Sequence, residues 1–115
     1  MIEANQLRIN NLLKNQFDAT VIKVSANDIL YLSEGGDPFV FEPITLTEEW
    51  LINFGFNYAQ GEEVYECIWS LKGFEFWQHD EGFCHDFFNG GDIDYVHELQ
   101  NLYFALTKTE LQLKQ

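Results

Sequence analysis

VYECIWSLKGFEFWQHD, Val64 to Asp80, is the stretch on which the fold turns. Two runs rich in aromatic and branched residues meet at Lys72-Gly73, a two-residue connection of the kind that closes a tight β-hairpin. Side chains alternate across a strand, so Phe74 and Phe76 share one face while Glu75, Trp77 and His79 share the other. A strand with one greasy face needs a cover. Downstream, HDEGF reads as a second turn leading into FCHDFF, which makes a three-strand antiparallel meander.

The cover is expected at the end of the chain, in DIDYVHELQNLYFALTKTEL, Asp92 to Leu111. On a helical wheel, Val96, Leu99, Leu102, Tyr103 and Leu106, with Tyr95, fall within an arc of about 120°, a width that suits a helix lying on a sheet. Asp94, Glu98, Asn101 and Ala105 make the solvated side. The helix is expected to begin near Asp92 or Asp94, after the NGGD break. His97, Gln100 and Phe104 fall on a flank outside the main stripe. That flank either packs on the N-terminal strands or presents a contact patch to a partner.

Working outward, TLTEEWLINFGF predicts a short helix. Thr47 caps it, Glu48 and Glu49 complement its positive end, and Gly55 stands where a left-handed C-cap belongs. Trp50, Leu51 and Phe54 share its inner side. The first third reads as short strands: LRINNLL, TVIKVS, then a turn at Ala26-Asn27-Asp28 and a strand DILYLS buried on both faces. EGGDP is a strong turn, and FVFEPITL follows as a further strand. The expected fold is α+β: N-terminal short antiparallel strands forming a half-barrel, a short helix, the meander, and the amphipathic C-terminal helix packed on the sheet. At 115 residues it fits a single domain over 1–115.

Charge bounds the function. Nineteen Asp and Glu against six Lys and Arg give −13. From Val24 to Thr107 there are sixteen acids and one base, Lys72, a net of −15. Nucleic-acid binders need clustered cations to displace counterions from phosphate, and this chain lacks them. The same field repels nucleotides and anionic membranes. No apolar run approaches the roughly 20 residues of a membrane span. MIEANQLRINN lacks a basic segment followed by an apolar one, so we expect no signal peptide, a cytoplasmic location, and reduced thiols at Cys67 and Cys84.

HDEGFCHD, with Cys67, contains the donor types of a zinc site, and Cys67, His79 and Cys84 would have to converge across neighbouring strands to make one. No CxxC or HExxH spacing is present, and adjacent Cys84 and His85 point to opposite faces of a strand. The acidic surround opposes thiolate formation at either cysteine. No GxSxG, phosphate loop or GxGxxG occurs. We therefore expect no catalytic residues, no metal and no cofactor. What remains is aromatics interleaved with acids, a pattern that favours a cationic partner through charge and cation–π contacts.

EPITLTEEWLINFGF (Glu42 to Phe56) and YVHELQNLYFALTKTEL (Tyr95 to Leu111) resemble segments of a group of small proteins encoded by bacteriophages, prophages and their bacterial hosts. Members of that group open on an LRIGN-like strand, carry a Pro-x-x-Leu-Thr-Glu-Glu-Trp-Leu segment before Gly-Phe, and close on a His-x-Leu-Gln-Asn-Leu-Tyr-Phe-Ala-Leu-Thr helix. This chain departs at Asn10, where the group has glycine. The resemblance implies a phage-type accessory role without assigning an activity. Small acidic phage proteins often bind host proteins, defence proteins included, and some imitate DNA.

The expected function is accordingly a non-enzymatic, acidic protein–protein interaction module acting on a basic host or phage protein. Its candidate surface comprises Trp77, His79, Asp80, Glu81, Asp86, His97, Gln100 and Phe104. A small-ligand binder, with Trp77 and Tyr103 as stacking residues, is the alternative, and a metal-dependent enzyme the remote one.

Overall fold

A computed structural model describes residues 3–60, 67–79, 82–85 and 92–113, and of Pro38, Gln60 and His79 the backbone alone. Two compact units divide the chain: Met1–Thr45 with Tyr95–His97, and Leu46–Asp94 with Glu98–Gln115.

In the first unit, strand β1 (Leu12–Asn15) lies between β2 (Val21–Lys23) and β3 (Phe41–Glu42), all antiparallel. Residues Arg8 to Asn11, expected as strand, instead form a turn in which Asn11 N–H donates to Arg8 O at 3.0 Å. Asn10 takes φ 79 there. That value belongs to the third position of a type II turn, where glycine is favoured and asparagine is the best-tolerated alternative.

The predicted Ala26–Asp28 turn and DILYLS strand are wrong. Ala26–Ser33 is a helix, α1. Ser25 caps it: Asp28 N–H donates to Ser25 Oγ at 3.3 Å and Ser25 N–H donates to Asp28 Oδ2 at 2.9 Å, a reciprocal box that satisfies two otherwise orphaned amides. Ile29 and Leu32, one helical turn apart, pack against the buried trio Leu13, Val24 and Phe41, while Leu30 and Tyr31 are exposed. FVFEPITL likewise supplies less strand than expected. Pro38–Val40 is a 3-10 turn and only Phe41–Glu42 joins the sheet. Lys14 and Glu42 pair at 3.6 Å, each about 40% exposed, a separation and exposure at which an ion pair contributes little.

In the second unit, α2 (Glu48–Phe54) forms as its caps dictate. Trp50 N–H donates to Thr47 Oγ1, and Gly55 closes the helix at φ 92. Five antiparallel strands follow in sequence order: β4 (Asn57–Gln60), β5 (Cys67–Leu71), β6 (Phe74–His79), β7 (Gly82–Cys84) and β8 (Asp92–Ile93). The β5–β6 hairpin turns on Lys72 (φ 49) and Gly73 (φ 87), two successive positive values that mark a type I′ turn.

Helix α3 (Val96–Thr107) starts later than predicted. Asp92 and Ile93 pair with Cys84 and Phe83. Tyr95 then bridges Thr45, and Val96 N–H donates to Ile44 O at 2.8 Å. The backbone through Tyr95 is thus engaged in extended pairing and becomes helical only beyond it. Val96, Leu99, Leu102 and Tyr103 are buried as the wheel requires, whereas Tyr95 and Leu106 are exposed. Tyr103 packs edge-on to Phe74 (5.2 Å between centroids) and Phe56 (6.5 Å), so the helix covers the inner face of this sheet.

The two faces of the sheet and the cleft beside its central strand

Strand register sorts the second unit's side chains by face. On the inner face, Trp69 opposes Phe76, and Phe83 lies between Gln78 and Ile93. Phe76 is fully buried, with rings of Phe56, Phe74 and Phe83 at 5.3 to 6.0 Å. Gln78 satisfies a polar spot in this core: its Oε1 accepts from Trp69 Nε1 at 2.8 Å and its Nε2 donates to Glu48 Oε1 at 2.8 Å.

The outer face carries one row running across all five strands in direct register: Ala59, Ile68, Trp77, Cys84 and Asp92. Alongside it runs a second row, Asn57, Ser70 and Glu75. Ile68, Trp77 and Cys84 are half-buried, while Asn57, Ala59, Glu75 and Asp92 are exposed. The outer face therefore presents a narrow apolar band with carboxylates at its rim. The same register separates the two cysteines. Cys67 opposes Gln78 and Cys84 opposes Trp77, so the thiols project from opposite faces. The Tyr58 hydroxyl donates to Cys67 Sγ at 3.1 Å, and that bond raises the tyrosine pKa above its ordinary value. Among the described residues, no group of three or more His, Cys, Asp and Glu is placed to hold a metal ion.

Beside β6 lies an open cleft of about 530 Å³, lined by Lys72, Phe74, Glu75, Trp77, His85 and Leu106 among others. Its origin is a mismatch in strand length. Strand β7 pairs with Trp77 to His79 only, so Phe74 to Phe76 have no strand on that side among the described residues. His85 turns off the end of β7 and stacks on Phe74, with centroids 5.2 Å apart and planes 11° from parallel. Trp77 approaches the same imidazole at 6.5 Å. The C-terminal end of α3 forms the opposite wall through Leu106 and Thr107.

The predicted surface residues therefore do not form one patch. Trp77 lies on the outer face and lines the cleft. His79 ends β6 opposite Gly82, and Asp80, Glu81 and Asp86 lie outside the described residues. His97 and Gln100 are corrections: at 5% and 2% exposure they offer no contact surface. Phe104 is half-buried. Burial of His97 and Gln100 means that α3 is covered over more of its circumference than its apolar stripe implies. Among the described residues Nδ1 of His97 has no hydrogen-bond partner, Tyr95 stacks on its ring at 5.8 Å, and burial lowers its pKa to about 4. Tyr103, 3% exposed and ringed by phenylalanines, is core rather than a stacking platform for a ligand. Sequence reasoning missed Ile68, His85, Lys72 and Leu106 as cleft or band residues. Register sets Ile68 opposite Trp77, the end of β7 places His85, the hairpin turn carries Lys72, and the end of α3 supplies Leu106.

Among the described residues, no helix is long and apolar enough to cross a membrane. No protein-family model, curated protein or solved structure matches the chain significantly.

Proposed function

We propose that this protein is a non-catalytic binding module that receives a basic segment of another protein on the outer face of its five-stranded sheet. The observation that carries the reading is the Ile68–Trp77–Cys84 band with Glu75 and Asp92 at its rim. It lies within a unit that holds thirteen of the nineteen carboxylates and three of the six cations. An apolar strip ringed by like charge is complementary to a segment that alternates apolar and cationic side chains. The surrounding field accelerates encounter with such a segment and repels phosphate.

The accompanying biological role is a phage-type accessory protein acting in the host cytoplasm on a host or phage protein, defence proteins included. Asn10 supports that assignment in a small way, because its left-handed backbone suits the glycine found at this place in the phage group. DNA mimicry is the special case in which the carboxylates occupy a nucleic-acid groove of the target.

Amide chemical shifts followed during titration with a basic peptide, an acidic peptide and duplex DNA test the proposal. The basic peptide is expected to move Ile68, Ser70, Glu75, Trp77 and Cys84, with affinity falling as salt is added. Silence with the basic peptide at low salt, or a response to DNA, would overturn it.

A further inference from the structure

Resting on that reading, we infer that the cleft beside β6 is an arginine-selective pocket, in which a partner's guanidinium lies on the indole of Trp77 and meets the carboxylate of Glu75. Three features of the cleft converge on a planar cation. Trp77 and Glu75 are two residues apart on one strand, so both project from the outer face about 7 Å apart, within the span of one guanidinium and its stem. The wall opposite is the C-terminal end of α3, a twelve-residue helix whose last turn carries no basic residue. The negative pole of its dipole favours a cationic guest there, in addition to Lys108, which follows the helix directly and donates its N–H to Phe104 O at 2.8 Å. The floor is aromatic, with Phe74 and His85 stacked on each other, a surface on which the apolar stem of an arginine packs.

Lys72 also lines the cleft and opposes a cationic guest. It is exposed at the hairpin turn, with a long side chain free to swing toward solvent. Its presence supplies a discriminating test. Removal of Lys72 strengthens binding if the guest is a cation and weakens it if the guest is an anion. Lys72→Asn is the suitable change because asparagine tolerates the left-handed backbone of that position, and Asn-Gly is a favoured type I′ pair.

The probes are short peptides repeating Arg-Gly-Ser or Lys-Gly-Ser, titrated calorimetrically into the intact protein, with amide shifts recorded in parallel. The arginine peptide is expected to bind about fivefold more tightly than the lysine peptide, because only the planar group both stacks and forms paired hydrogen bonds. Trp77→Leu and Glu75→Gln should each erase most of that margin. Trp77→Phe should retain part of it, and Lys72→Asn should raise arginine-peptide affinity about twofold. The largest shifts should fall at Lys72 to Trp77, His85, Leu106 and Thr107. Folding of each variant is verified by amide dispersion, and Glu75→Gln, at an exposed site, keeps the test decisive should Trp77→Leu lose structure. Equal binding of both peptides, unchanged by Glu75→Gln and with shifts elsewhere on the outer face, overturns the pocket and leaves the proposed function standing. Absence of binding by either peptide at low salt overturns both.

Discussion

The two units of this chain are built by different means. The second has an aromatic core, in which Phe56, Phe74, Phe76, Phe83, Trp69 and Tyr103 are all nearly inaccessible. The first has a buried trio of Leu13, Val24 and Phe41, and depends on local devices: a left-handed Asn10, a capping box at Ser25, and an Asx-type turn in which Asp18 accepts from Thr20. Charge follows the same division. The second unit holds thirteen acids against three lysines, the first six acids against three cations. A large buried area tolerates a crowded acidic surface, because dispersion and burial outweigh screened repulsion between exposed carboxylates. A small core leaves more of the work to turns and caps.

Phe76→Ala should break the comparison most forcibly. The ring is fully buried among three others, so its removal leaves a cavity in the middle of the sheet and is expected to cost about 3–5 kcal/mol in denaturant unfolding. A loss below about 1 kcal/mol would mean that the aromatic cluster repacks freely, and the contrast between the units would lapse.

The difference in construction also explains what could be read from the sequence. Periodicity reports burial, so the element held by burial was legible: the Lys72-Gly73 hairpin, the assignment of Phe74 and Phe76 against Glu75 and Trp77, and α2 with its caps all stand as expected. In the first unit Ile29-Leu30-Tyr31-Leu32 is apolar at every position. Such a run carries no period, and only the Ser25-x-x-Asp28 signature distinguishes helix from strand. The strand reading of DILYLS takes no account of that signature, which decides for the helix. The site was half legible. Trp77 and Glu75 follow from alternation on one strand, whereas His85 and Ile68 join them through strand length and pairing register, and Leu106 through the placement of the end of α3, none of which a local pattern encodes. The helical wheel leaves the His97 and Gln100 flank open between packing and a contact patch, and their burial decides for packing.

His97 provides the next largest effect. Burial lowers its folded-state pKa to about 4, below its ordinary 6.5. Folding therefore favours the neutral ring. The stability this contributes is complete above pH 6.5 and is lost as pH falls toward 4, by about 3 kcal/mol at most. His97→Leu should flatten that part of the stability–pH curve relative to the parent. It should also leave stability at pH 7 unchanged or higher, since it removes a buried Nδ1 that has no partner among the described residues. Parallel curves for the two proteins between pH 6.5 and 4 would show that the imidazole is not held neutral.

Ser25→Ala sharpens the comparison from the other side. It removes the cap of α1 and is expected to cost about 1 kcal/mol. Amide exchange should accelerate in Ala26–Ser33 while β5 and β6 keep their protection.

The smallest effect tests the turn before β1. Asn10 sits at φ 79, a conformation that costs a side chain with a Cβ and costs glycine nothing. Its N–H donates to Val24 O at 2.8 Å, and Val24 N–H returns the bond to Asn11 O at 2.8 Å, so the turn fixes how β1 begins against the end of β2. Asn10→Gly should raise stability by about 0.5 kcal/mol, the relief of backbone strain exceeding the extra freedom of glycine in the unfolded chain. Asn10→Ala should lower it by about 1 kcal/mol, because alanine has neither glycine's freedom nor asparagine's tolerance of the left-handed region. Thermal unfolding of the three proteins resolves the order Gly, Asn, Ala. If alanine matched asparagine, the turn would not impose a left-handed residue at this position, and the first unit would depend less on its local geometry than its small core implies.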